Sequence, residues 1–281
     1  MPKTILPEES QIYRCFVDLI RSADRVFFAG LPGVGKSLLL QQLTLMALEA
    51  GRPAHLLQWD TARQPFESPR YPLDQGATHP MVIKAAGVWL RRALPKWDKA
   101  HSHSEAILIG EVPLIGDRFM EIVRPADDEA ESLLADKRTQ FVLPVPSREV
   151  RALIESRREA SIANPAHENE AQDAPPDLLR ALWRDLFHIA AQLGIAEAAA
   201  NDGLYSPEIY EATYRHLLRQ RRARVLALDE PLRPVASVYA FDAALPQLIP
   251  DRAQAQAVLR EVEATTSIPR LLRDAVAWYK L

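Results

Sequence analysis

The chain has 281 residues, 48% of them apolar and 25% charged, enough for one sizeable α/β core with insertions or a small helical appendage. Its formal net charge of −3 argues against general nucleic-acid or membrane-surface binding, both of which need concentrated positive charge. The one cysteine, Cys15, excludes an intramolecular disulfide. No apolar run is long enough to cross a bilayer, and Met1 to Ser10 lacks the layout of a signal peptide, so the expected location is the cytoplasm.

Residues 8–22 place Ile12, Phe16, Val17 and Ile20 at helical spacing and predict an amphipathic helix, with Cys15 packed as a small apolar residue. Arg25 to Ala29 is a short β-favouring run. It leads into Gly30-Leu31-Pro32-Gly33-Val34-Gly35-Lys36-Ser37, which fits G-x-x-x-x-G-K-[ST] without a mismatch. Glycines in such a loop let successive backbone N–H groups face phosphates, lysine adds a point charge, and the serine hydroxyl can join a Mg²⁺ shell. Helix formers then run from Leu38 to Ala50 and stop at Gly51. Strand, glycine loop and helix in that order predict a nucleoside triphosphate site spanning Gly30 to Leu38.

Pro53 to Asp60 predicts a second strand with Asp60 at its C-terminal end. Residues 61–79 are turn-rich, and a helix is expected over 81–94. Glu105 to Glu111 suits a buried parallel strand, which makes Glu111 the candidate second metal-site group opposite Ser37. A helix over 127–137 and a strand from Thr139 to Val145 follow. Ser147 is the expected N-cap of a basic helix bearing Arg157 and Arg158. Residues 161–177, polar and with three prolines, predict a mobile loop or lid. Helices over 177–200 and 206–223, a late strand from Val235 to Phe241, and helices near 250–263 and 268–280 complete the reading. Alternating strands and helices predict a mostly parallel sheet with helices on both faces, over residues 1–245, and a helical extension, 246–281, packed on the same domain.

The basic cluster Arg219 to Arg224 reads as a solvated helix face. His101 and His103, without acidic or cysteine partners nearby, read as a solvent loop. Trp59, Trp89 and Trp97 read as core or pocket wall, and Tyr205, Tyr210 and Tyr214 as packing. The chain lacks the Asn/Thr-Lys-x-Asp of guanine-specific GTPases, any Asp-x-x-Gly, and a transporter-ATPase signature.

With the loop at Gly30–Ser37, three further elements give a resemblance to P-loop NTPases of the nucleoside, nucleotide and small-molecule kinase group. Asp60-Thr61-Ala62-Arg63 resembles the D-x-x-R of adenylylsulfate and polynucleotide kinases. Glu111 with Asp117-Arg118-Phe119 looks like elements of thymidylate and deoxynucleoside kinases. Phe141 to Pro146, leading into an arginine-bearing helix, is similar to the strand before a kinase lid. The resemblance implies a three-layer P-loop sandwich, ATP and Mg²⁺ as ligands, and phosphoryl transfer to a small-molecule or nucleotide acceptor. It implies Lys36, Asp60, Arg63 and Arg118 as catalytic residues, Arg157 and Arg158 as lid arginines on the nucleotide, and Ser37 and Glu111 at the metal. The spacing from Glu111 to Asp117 departs from the named kinases, so Asp60, Glu111 and Asp117 all stay open as the base. The alternative is an ATPase or switch acting on a protein partner.

Overall fold

The computed structural model describes residues 4–74, 77–167, 170, 174–197, 203–232 and 245–280. Its centre is a sheet of β1 (Arg25–Ala29), β2 (Ala54–Gln58), β3 (Ile107–Val112), β4 (Thr139–Pro146) and β5 (Ala223–Leu228). All pairs are parallel, in the order β2-β3-β1-β4-β5. Every residue of β1 and of β4 is buried, as expected of central strands covered on both faces. The fold is thus the expected α/β architecture.

Because side chains alternate along a strand, β1 feeds two cores. Val26 and Phe28 meet Phe16 and Leu19 of α1 (Gln11–Ser22) and Leu39 and Leu43 of α2 (Lys36–Glu49). Phe27 points to the other face. It packs on Phe141, ring centroids 5.3 Å apart, within a core that draws on α4 (Pro80–His101), α7 (Pro176–Gln192) and α8 (Pro207–Leu217). Between these elements lie α3 (Trp59–Arg63), α5 (Glu129–Ala135) and α6 (Arg148–Ala163). Two C-terminal helices, α9 (Arg252–Thr265) and α10 (Ile268–Val276), pack on α4. Just before them, the Pro246 carbonyl accepts from the Leu56 amide (2.9 Å) and the Leu248 amide donates to the Leu56 carbonyl (2.7 Å), so the extension begins by pairing with the free edge of β2. Among the described residues no helix is long and apolar enough to cross a membrane.

The structure corrects several boundaries. Helix α8 ends at Leu217 and a turn leads into β5, where a helix was expected to run on to 223. Arg219 and Arg222 of that cluster are exposed as expected, but Arg221 and Arg224 are anchors. Buried Arg221 donates to the Ile122 carbonyl (2.8 Å) and pairs with Glu131 (2.7 Å), while Arg224 pairs with Asp18. Those contacts come from distant segments, which local pattern cannot register. The expected strand at 235–241 lies outside the described residues. Helix α4 runs on to His101 with Pro95 inside it. His101 therefore stacks on Trp97 (4.8 Å) and meets the His55 ring (4.4 Å) instead of sitting in a solvent loop. Of the expected mobile segment, 161–163 finish α6 and 176–177 open α7; residues 168, 169 and 171–173 lie outside the described residues.

Candidate functional site

The strand order reverses direction around β1, and in open parallel sheets ligands bind beyond the strand C-termini at such a point. Register brings the relevant loops level there. Phe28 pairs with Glu111 across β1 and β3, and Gln58 pairs with the same Glu111 across β2 and β3. The loop after β1, the end of β3 and the start of α3 therefore open onto one side of the sheet.

Gly30, Gly33 and Gly35 all take left-handed φ values of 134°, 76° and 87°. Gly35 caps α2 without any side-chain hydrogen bond, so the first-turn N–H groups gain no side-chain acceptor from the cap residue. Two glycines have steric duties as well. A Cβ on Gly30 would lie 2.0 Å from the Tyr210 hydroxyl oxygen, and one on Gly33 would lie 2.8 Å from a Leu179 methyl. The loop is thus pressed from outside by α7 and α8. Arg151 of α6 completes the clamp: it is buried, donates to the Pro32 carbonyl (2.9 Å) and pairs with Glu155 (3.0 Å). Burial pushes the Tyr210 hydroxyl pKa well up, and its oxygen has no hydrogen-bond partner.

Inside the loop, Lys36 is only 4% exposed. Its Nζ donates to the Leu31 carbonyl (2.9 Å) and stands 3.7 Å from Glu111 Oε1. Ser37 Oγ donates to Glu111 Oε2 at 2.7 Å. Burial lowers the Lys36 pKa; Glu111 opposes that shift, Arg158 and Arg151 add to it, and Asp60 opposes it more weakly. Lysine, serine and carboxylate thus form one compact group. Leu38, the last residue of the expected site, is half-buried in the first turn of α2.

The remaining candidates divide. Asp60 lies in the first turn of α3, just past the strand end where it was expected, and its side chain is 76% exposed with Arg63 Nε 3.2 Å away. Arg63 is also tied to Glu67, so its guanidinium already serves two carboxylates. Arg158 lies within electrostatic reach of Lys36, whereas Arg157 donates to the Leu232 carbonyl (2.9 Å). Asp117 is buried and pairs with Arg124 (2.7 Å). Burial raises its pKa, and the nearest opposing charges are Arg124 and then Lys84, neither from the glycine loop. Trp59 packs edge-on to Phe119 (4.9 Å), as a wall residue should.

Two parts of the site were not visible in sequence. Arg151 grips the loop from 119 residues away and Tyr210 from farther along the chain, and the only local signal was the basic character of α6. The other is the backbone after β3. Leu114, Asp117 and Phe119 adopt positive φ (47°, 69° and 58°) along with Gly116 (58°), a concentration of strained conformations beside Glu111. Such strain persists only where surroundings enforce it, and it gathers at functional sites. Tyr214 reinforces it, its hydroxyl placed 3.3 Å from the Pro113 carbonyl. Compared with protein families, with characterised proteins and with solved structures, the chain matches none.

Proposed function

We propose that the chain binds ATP with Mg²⁺ at the loop between β1 and α2 and transfers the γ-phosphoryl group to a small-molecule acceptor, in the manner of a P-loop kinase. The observation that carries this reading is the Lys36–Glu111–Ser37 group, with Lys36 Nζ 3.7 Å and Ser37 Oγ 2.7 Å from the same carboxylate. A hydroxyl and a carboxylate are hard oxygen donors, the set that suits Mg²⁺, which takes few protein ligands and fills its shell with water and phosphate oxygens.

Bound ATP would supply the phosphoryl group, and Mg²⁺ would neutralise charge on its phosphates. The protein's part is positioning and charge. The loop amides and Lys36 would hold the phosphates, with Nζ turning away from the Leu31 carbonyl that it meets here. Ser37 and Glu111 would hold the metal, directly or through water. Arg158 balances charge on the moving group, and exposed Asp60 orients an acceptor hydroxyl or takes its proton. Arg63 is free to grip an acceptor only by giving up Asp60 or Glu67.

The test is ATP turnover with and without a panel of nucleosides, nucleotides and sugars. Phosphorylated acceptor is expected, falling about 10²–10⁴-fold in Asp60→Asn, and Lys36→Ala should abolish ATP binding. Turnover that ignores both the acceptor and Asp60→Asn would make the protein an ATPase or switch, and unchanged ATP affinity in Lys36→Ala would remove the nucleotide reading altogether.

A further inference from the structure

Away from the glycine loop, a cavity of about 480 Å³ lies between the strained segment after β3, helix α7 and the end of the chain after α10. None of its lining residues belongs to residues 30–37. Its size falls in the range of about 300–1,000 Å³ seen for small-molecule sites. Its walls are apolar and aromatic: Ile115, Leu182, Ile189 and Trp278. Arg118 contributes the one guanidinium; its Nε is buried without a hydrogen-bond partner, and the charges that act on it are Asp60 and, more weakly, Arg63. A guanidinium has five donors in a planar fork suited to carboxylate or phosphate, and a buried donor left unpaired is costly unless something fills its place. Solvent-exposed Asp185 and His188 stand at the mouth with Val276, which is 78% exposed.

We propose that this cavity is a second ligand site, taking a small organic anion whose carboxylate or phosphate pairs with Arg118 and whose apolar body lies against Ile115, Ile189 and Trp278. The exposed carboxylate of Asp185 at the mouth disfavours a second negative charge at the ligand's outer end, which narrows the class to compounds with one anionic group. The site is built from the strained 114–119 segment that follows Glu111, so its occupant touches the backbone next to the proposed metal group. Its existence does not depend on the phosphoryl-transfer reading.

The experiment is NMR titration of full-length protein with phenylacetate, phenyl phosphate and the neutral analogue benzyl alcohol. The readout is the Trp278 indole signal among five tryptophans, assigned by its loss in Trp278→Phe. One or both anions should give a saturable shift at least tenfold tighter than benzyl alcohol, and the stronger of the two identifies carboxylate or phosphate as the preferred group. Arg118→Gln should weaken binding tenfold or more. Val276→Trp should block the mouth, and it sits where a large side chain burdens no core, so it decides the matter if Arg118→Gln fails to fold. Lys36→Ala should bind the probes as well as wild type does, which separates this site from the nucleotide site. No saturable shift, equal affinity for benzyl alcohol, or unaltered affinity in folded Arg118→Gln or in Val276→Trp would overturn the proposal.

Discussion

Gly30 and Tyr210 offer the sharpest physical test of how the glycine loop is held. At Gly30 the backbone has φ 134°, and a Cβ would sit 2.0 Å from the Tyr210 hydroxyl oxygen. Gly30→Ala therefore meets two separate costs. Backbone strain at a conformation reserved for glycine costs about 1–3 kcal/mol, and overpacking against a buried ring adds about 1–3 kcal/mol. Tyr210→Phe by itself should be close to neutral or slightly stabilising, within about 1 kcal/mol, because the hydroxyl it removes is buried without a partner. With the hydroxyl gone, the nearest atoms to the new Cβ are the ring Cζ at 3.3 Å and a Val34 methyl at 3.4 Å, so the backbone share remains with a small residual crowding at the ring. The two substitutions should couple by about 1–3 kcal/mol, with the double variant far less damaged than the sum. Urea unfolding of wild type, both single variants and the double variant, at a common m-value, measures this directly. Equal damage from Gly30→Ala in both backgrounds would refute the claim that α8 presses on the loop.

Arg151→Met should destabilise by about 1–3 kcal/mol by chemical denaturation, since it strands the Pro32 carbonyl, while Glu155 loses one of its two arginines and keeps Arg180. Glu111→Gln should raise the Mg²⁺ concentration needed for half-maximal ATP turnover by tenfold or more while leaving the melting temperature within a few degrees, because Ser37 keeps an acceptor at the same place. Glu131 predicts part of the acid limb of stability: burial opposes its ionisation, but Arg221 and Arg91 prevail and hold its carboxyl at about 2, against 4.5 when unfolded. Its folded pKa is depressed, so its contribution is present above pH 4.5 and is lost as pH falls toward 2. The unscreened linkage is about 3 kcal/mol, which solvent screening at this partly exposed group reduces to about 1–2 kcal/mol. Stability measured between those pH values should fall less in Glu131→Gln than in wild type, and parallel curves would refute the assignment.

Much of the scaffold is legible locally. Apolar runs such as Val26–Phe28 and Ile107–Ile109 are strands because both of their faces are covered, and helix starts such as Ser147 and Asp251 carry their own caps. Misreadings fall where distant contacts overrule local pattern. Arg221 looks like a surface charge until Glu131 and the Ile122 carbonyl arrive from 90 or more residues away. Pro95 looks like a helix stop, yet α4 continues through it with Trp89, Leu94 and Trp97 buried in the core, and that burial outweighs one missing backbone bond.

The glycine loop itself belongs to the sequence. Positive φ at three positions and a lysine and serine at the start of α2 are properties of eight consecutive residues, set by steric rules that act within a turn. What meets that loop was decided by tertiary structure. Glu111 reaches Ser37 across 74 residues because parallel register sets β3 beside β1, and Arg151, Leu179 and Tyr210 close on the loop because three helices pack against the same edge. Asp117 and Arg118 are adjacent in the chain but part company in the fold, one to an ion pair with Arg124 and the other to the wall of a cavity. Positive φ at Asp117 and Phe119 sharply redirects the chain around them, a turn that only the surrounding packing makes affordable.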